Sequence, residues 1–191
     1  FVEGLSLDRG YQHWGPNGKD FVNVKETDEV LYENALVALY NGTISTSTDL
    51  YPLLRLVQDM REEAMASKKT VPALFIVAHN IVGDAYSYLL TNKTRAEYPV
   101  YAIKTPISGS PNSAALLLED LATLTGGKVL TDEEIGIGLG KVTLDCLGEV
   151  KKVVGKSRET IIYEPQGKTE EIEVRVKSLK KQVAEAGNAF D

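Results

Sequence analysis

Apolar residues along this chain follow two alternating rhythms. Short unbroken runs at 35–40, 72–78 and 100–103 have the length and β-branched or aromatic content of buried strands. Between and after them come longer stretches with apolar residues every three or four positions, which predict helices over 49–67, 83–95 and 112–124. Ser47, Thr48 or Asp49 is placed to cap the first helix, with Pro52 in its first turn. Asn41-Gly42 is expected to close the first strand, and Gly126-Gly127 to stop the third helix. Shorter strands are expected at 129–130, 142–144, 149–154 and 160–163. Strand and helix alternate, which predicts an α/β layer with a partly parallel sheet. From 169 to 186 the rhythm is helical again, with Ile172, Val176, Leu179, Val183 and Ala186 on one stripe. Glu170, Glu171 and Glu173 lie early in that helix and Lys177, Lys180 and Lys181 late, as the helix dipole favours. Its stripe needs a partner, either this sheet or sequence outside the chain.

The first two helices carry apolar residues that a single core stripe does not explain. At about 100° per residue, Leu50, Leu53, Leu56, Val57, Met60 and Ala64 share one face of the first helix. Tyr51 lies about a quarter turn away, Leu54 at the edge of the stripe, and Gln58 and Arg61 border the same side. In the second helix Ala85, Tyr88 and Leu89 form the stripe, with Ile81 leading in. Tyr86 and Leu90, spaced i, i+4 beside Lys93, face elsewhere. Side by side, the two helices would line an apolar groove suited to an amphipathic helix or an extended peptide. A covering loop, or isolated surface apolars, would account for the same residues.

Composition removes several alternatives. The chain has 191 residues, room for one domain and a short appendage, with 43% hydrophobic and 25% charged residues. A net charge of −6 disfavours a phosphate-backbone binder or an anionic membrane surface. No apolar run reaches the roughly 18 residues of a membrane span. One cysteine, Cys146, forms no internal disulfide and is expected to be a packed thiol in a reducing compartment. Two histidines, His13 and His79, have neither metal-ligand spacing nor an adjacent nucleophile, so no metal site is expected. Gly136-Ile-Gly138-Leu-Gly140-Lys141 looks superficially like a phosphate loop. Three acids between residues 131 and 134 precede it, and the order of a P-loop is missing, so turns explain the glycines better than a nucleotide does.

A resemblance adds to this reading. Val2-Glu3-Gly4-Leu5-Ser6-Leu7-Asp8-Arg9-Gly10-Tyr11 resembles the segment that opens the apical domain of group I chaperonins, the GroEL family. Leu118-Glu119-Asp120-Leu121-Ala122-Thr123-Leu124-Thr125-Gly126-Gly127 is similar to that domain's most recognisable stretch, and Glu134-Ile135-Gly136, Leu147-Gly148 and Val153-Val154 continue it in order. The resemblance covers essentially the whole chain. It implies an apical domain over 1–168, with a central mixed sheet layered by helices and two roughly parallel helices forming a peptide-binding face. Residues 169–191 would then be a helix leading into an intermediate domain outside this chain.

What the resemblance implies about function is specific. Apical domains ring the mouth of a chaperonin and capture non-native polypeptide, and a co-chaperonin lid docks on the same surface. Matched position by position, the family's apolar binding positions fall on Tyr11, Tyr51, Leu54, Tyr86 and Leu90, with Thr91 beside them and Asn92 and Arg95 at the polar end of the second helix; Trp14 and Gln58, which borders the first helix's surplus face, complete the expected binding set. Arg9 matches a candidate inter-domain contact that restrains rotation of the domain, a local ion pair with Asp8 being the plainer account. The family's ATP and Mg site lies in an equatorial domain whose Gly-Asp-Gly-Thr-Thr loop does not occur here. The chain is therefore expected to be no enzyme and to hold no cofactor, while a full-length, ring-forming homo-oligomeric parent would be the ATPase. A bacterial cytoplasm, or that of a virus-infected bacterium, is the expected location. Departures mark a divergent member: residues 12–20 lack the family's Tyr-Phe loop, Trp14 standing in for its aromatic role, and Ile107-Ser108-Gly109-Ser110-Pro111-Asn112 replaces Gly-Phe-Gly-Asp-Arg. Tyr51, Tyr86 and Thr91 stand where aliphatic residues are usual. A stand-alone adaptor with one defined partner is the competing reading, and the tyrosines would give it specificity.

Overall fold

The computed structural model describes residues 5–7, 9–14, 19, 21–68, 71–94, 99–105, 113–131 and 138–165. The helix expected over 169–186 and the first two residues of the glycine-rich loop, 136 and 137, lie outside them. Seven strands among the described residues form one mixed sheet: β1 (Leu5–Leu7), β2 (Val30–Ile44), β3 (Ala73–Ile81), β4 (Val100–Lys104), β5 (Val129–Leu130), β6 (Gly148–Gly155) and β7 (Thr160–Pro165). Their order is β1-β7-β6-β2-β3-β4, with β5 also paired to β2. The pairs β2–β3, β3–β4 and β2–β5 are parallel, whereas β2–β6, β6–β7 and β1–β7 are antiparallel. The molecule is thus α/β with a mixed sheet and three described helices.

Helices α1 (Ser47–Ala66) and α2 (Gly83–Thr94) make the crossovers β2 to β3 and β3 to β4, while α3 (Ser113–Thr125) returns the chain from β4 to β5. Parallel crossovers are right-handed, and the first two step the same way across the sheet. They therefore place α1 and α2 on one face, and the reverse step places α3 on the other. The core between the layers is nearly dry of polar groups: Leu36, Leu39, Leu74, Ile76, Ile103 and Leu118 are all buried. Tyr101, fully buried, anchors one end by stacking on Phe75, meeting Phe21 edge-on and sharing a 2.8 Å hydrogen bond with Thr160 Oγ1. Burial raises its hydroxyl pKa above the ordinary tyrosine value. A Cβ at Gly155 would lie 2.6 Å from this ring, so only glycine fits there.

Local chemistry corrects several expectations. Asn41-Gly42 does not end the first strand. β2 runs on to Ile44, and the pair sits where its register with β3 shifts, between Tyr40 and Thr43. Such an irregularity absorbs turn-forming residues without breaking the ladder. The strand expected at 142–144 is absent: Leu139–Lys141 and Leu144–Cys146 are single 3-10 turns. Leu139 is buried beside α1. The third helix does end at the glycines, where Gly126 adopts φ +80° and the N–H groups of Gly126 and Gly127 both donate to Ala122 O at 2.9 Å. Cys146 is a buried free thiol, its Sγ 3.6 Å from Thr143 Oγ1.

Candidate functional site

Helix α1 begins at Ser47 after Thr46, whose side chain makes no capping bond. The cap comes instead from the neighbouring helix: Asp84, in the first turn of α2, accepts from Ser47 N at 3.2 Å and Ser47 Oγ at 3.1 Å. Those hydrogen bonds, the backbone one foremost, hold the Asp84 carboxyl below its ordinary pKa. The two helix starts are thereby tied together. Further along, Tyr51 of α1 meets Tyr88 of α2 edge-on, ring centroids 5.0 Å apart at 68°.

Between the helices lies a cleft of about 670 Å³, lined by Tyr51, Leu54, Arg55, Gln58, Arg61, Tyr88 and Asn92. Tyr51 is 49% exposed and supplies its accessible apolar surface. Leu54 is only 5% exposed and forms part of the floor. Gln58 accepts from Arg61 Nη1 at 3.3 Å and donates to Glu62 Oε1 at 3.4 Å. Asn92 Nδ2 donates back to Tyr88 O, one turn earlier in α2, at 2.8 Å. The Arg61 charge also lies close enough to Tyr32 to oppose the effect of burial, which still pushes that hydroxyl up to about 12.

Of the residues singled out from the sequence, the structure brings five to this cleft: Tyr51, Leu54, Gln58, Arg61 and Asn92. Tyr86 stands apart from it. Its ring stacks on Trp14 at 5.4 Å and 25°, and Trp14 Nε1 donates to Ala102 O on β4 at 2.7 Å, with Lys104 Nζ 5.4 Å from the indole centroid. Leu90 is half-buried against the core and Thr91 is exposed, neither lining the cleft. Tyr11 is 4% exposed, donates to Asp28 O at 2.7 Å, and has its hydroxyl pKa raised by burial and then by Asp28 and Glu29. It borders a different cleft, of about 930 Å³, in which Lys19 and Lys156 stand with Asp28 and Glu29. Arg9 accepts from Thr160 Oγ1 at 2.7 Å through its backbone carbonyl. Arg95 lies outside the described residues.

Two cleft residues were missed. Tyr88 reads as core because it lies three residues after Ala85 and so close to the same stripe, and only the position of α1 reveals it as a wall. Arg55 lies one turn beyond Tyr51, an i, i+4 pair that could have been noticed. His13 Nδ1 lies 3.1 Å from Gly10 N, within its own turn. His79 lies inside β3, its Nε2 2.7 Å from Asn41 Oδ1. Among the described residues no group of three His, Cys, Asp or Glu side chains could hold a metal ion, and no helix is long and apolar enough to cross a membrane. The molecule is therefore defined as an α/β protein with an aromatic cleft between two tied helices. No protein-family model matches the chain.

Proposed function

We propose that this domain binds non-native polypeptide in the α1–α2 cleft, as its resemblance to chaperonin apical domains implies. The observation that carries the reading is the cleft itself: the two helices flagged by surplus apolar residues do lie together, with Tyr51 exposed between them. An apolar side chain buried on Tyr51, Tyr88 and Leu54 contributes about 1.5–3 kcal/mol before ordering costs, so one domain holds a peptide weakly. In a homo-oligomeric ring, many such clefts share one substrate and avidity raises the holding strength. ATP and Mg in an equatorial domain of the parent would drive release, and a co-chaperonin lid would compete for the same face. The setting is a bacterial cytoplasm, infected or not.

Titration of fluorescent apolar peptides of unrelated sequence tests this. Weak binding to many, lost in Tyr51→Glu with the fold retained by circular dichroism, is expected. Leu54→Glu is the wrong probe, because burying a carboxylate at a floor position should unfold the domain. Binding of a single sequence alone would favour an adaptor, and binding unchanged in Tyr51→Glu would remove the cleft from the account.

A further inference from the structure

We infer that the segment taken by the α1–α2 cleft is acidic as well as apolar, with a carboxylate beside its apolar anchor; this rests on the reading of the cleft as a polypeptide site. The chain as a whole carries a net charge of −6. Its cleft is the reverse: Arg55 and Arg61 line it, and no carboxylate among the described residues does. Arg55 is exposed, and no carboxylate among the described residues lies within ion-pair distance of it. The nearest acid engaged with the lining, Glu62, accepts from the Gln58 amide.

Geometry sets where the carboxylate belongs. Tyr51 and Arg55 are one helical turn apart, a rise of about 6 Å. Two residues of an extended peptide span about 6.6 Å. An apolar side chain on the Tyr51–Tyr88 pair therefore puts the carboxylate two residues away within reach of the Arg55 guanidinium, whose planar fork matches a carboxylate. A basic segment would meet the like charge of Arg55 in the same space.

The test uses three labelled peptides that share an apolar core and differ at one position two residues from it: Glu, Gln or Lys. The Glu peptide is expected to bind about 1.4- to five-fold more tightly than the Gln peptide, the range of exposed ion pairs, and the Lys peptide more weakly. High salt should erase the difference. Arg55→Gln should lower the affinity of the Glu peptide more than that of the Gln peptide, shrinking the Glu advantage, and Arg55→Glu should invert the order of Glu and Lys. Equal binding of the Glu and Gln peptides overturns the acidic preference and leaves the cleft standing. Failure of all three peptides to bind overturns both.

Discussion

At the residue scale, His79 shows how one nitrogen couples the fold to pH. With the Asn41 amide oxygen as acceptor, Nε2 carries the proton and Nδ1 is the bare nitrogen. Nδ1 is buried, and no described residue bonds to it. A second proton would have to enter that site, so burial lowers the pKa from 6.5. Above pH 6.5 the imidazole is neutral in folded and unfolded chains alike and the group adds nothing. Below it the unfolded chain binds the proton first, so stability should fall as pH drops through that value. Urea unfolding at pH 7.5 and pH 5.5, compared with His79→Gln, measures the effect. The wild type should lose more stability on acidification than the variant, and parallel losses would mean that the buried nitrogen is met by solvent.

At the element scale, the positions of α1 and α2 depend on a contact that no local rule contains. Asp84 caps a helix to which it does not belong. Asp84→Ala should therefore lower the melting temperature and raise amide exchange in the first turn of α1, not only at the start of α2. Exchange confined to α2 would remove the tie. The same limit explains what was legible in the sequence. Periodicity located all three described helices within a few residues, because each buries one stripe: Leu50, Leu53 and Val57 in α1, Ala85 and Leu89 in α2. It also found the buried runs of β2, β3 and β4. It did not find residues 30–34 of β2, which alternate more and less buried positions beside β6. A helical wheel orders residues around one axis and says nothing about which flank a neighbour occupies. The wheel therefore puts Tyr88 in the core stripe and Tyr86 on the groove, whereas α1 takes the side of Tyr88 and Trp14 that of Tyr86. Tyr11 failed for another reason: its hydroxyl satisfies the Asp28 carbonyl, a pairing across 17 residues that no local pattern encodes.

At the scale of the whole molecule, the sheet has two edges, and residues 9–14 run between them. Leaving β1, which pairs with β7, the chain meets the β6–β7 turn: Tyr11 N donates to Lys156 O at 3.2 Å and Gln12 N to Ser157 O at 2.9 Å. Gly10 is pressed against that turn so closely that a Cβ would lie 2.1 Å from Lys156 O. Three residues later Trp14 reaches the opposite edge, donating to the Ala102 carbonyl of β4 and stacking on Tyr86. A parallel edge strand with open carbonyls invites pairing with another chain, and here the indole fills that position. Trp14→Phe keeps an aromatic ring for Tyr86 but removes the donor from a buried carbonyl, which costs about 1–3 kcal/mol. The variant should unfold at lower urea, exchange its β4 amides faster, and sediment with a concentration-dependent dimer that the wild type does not form. If stability falls without association, the indole bond holds the strap while the edge is guarded by α2 and its neighbours. If neither changes, the strap is held at the β6–β7 turn alone, and the β4 edge owes its protection to nothing in residues 9–14.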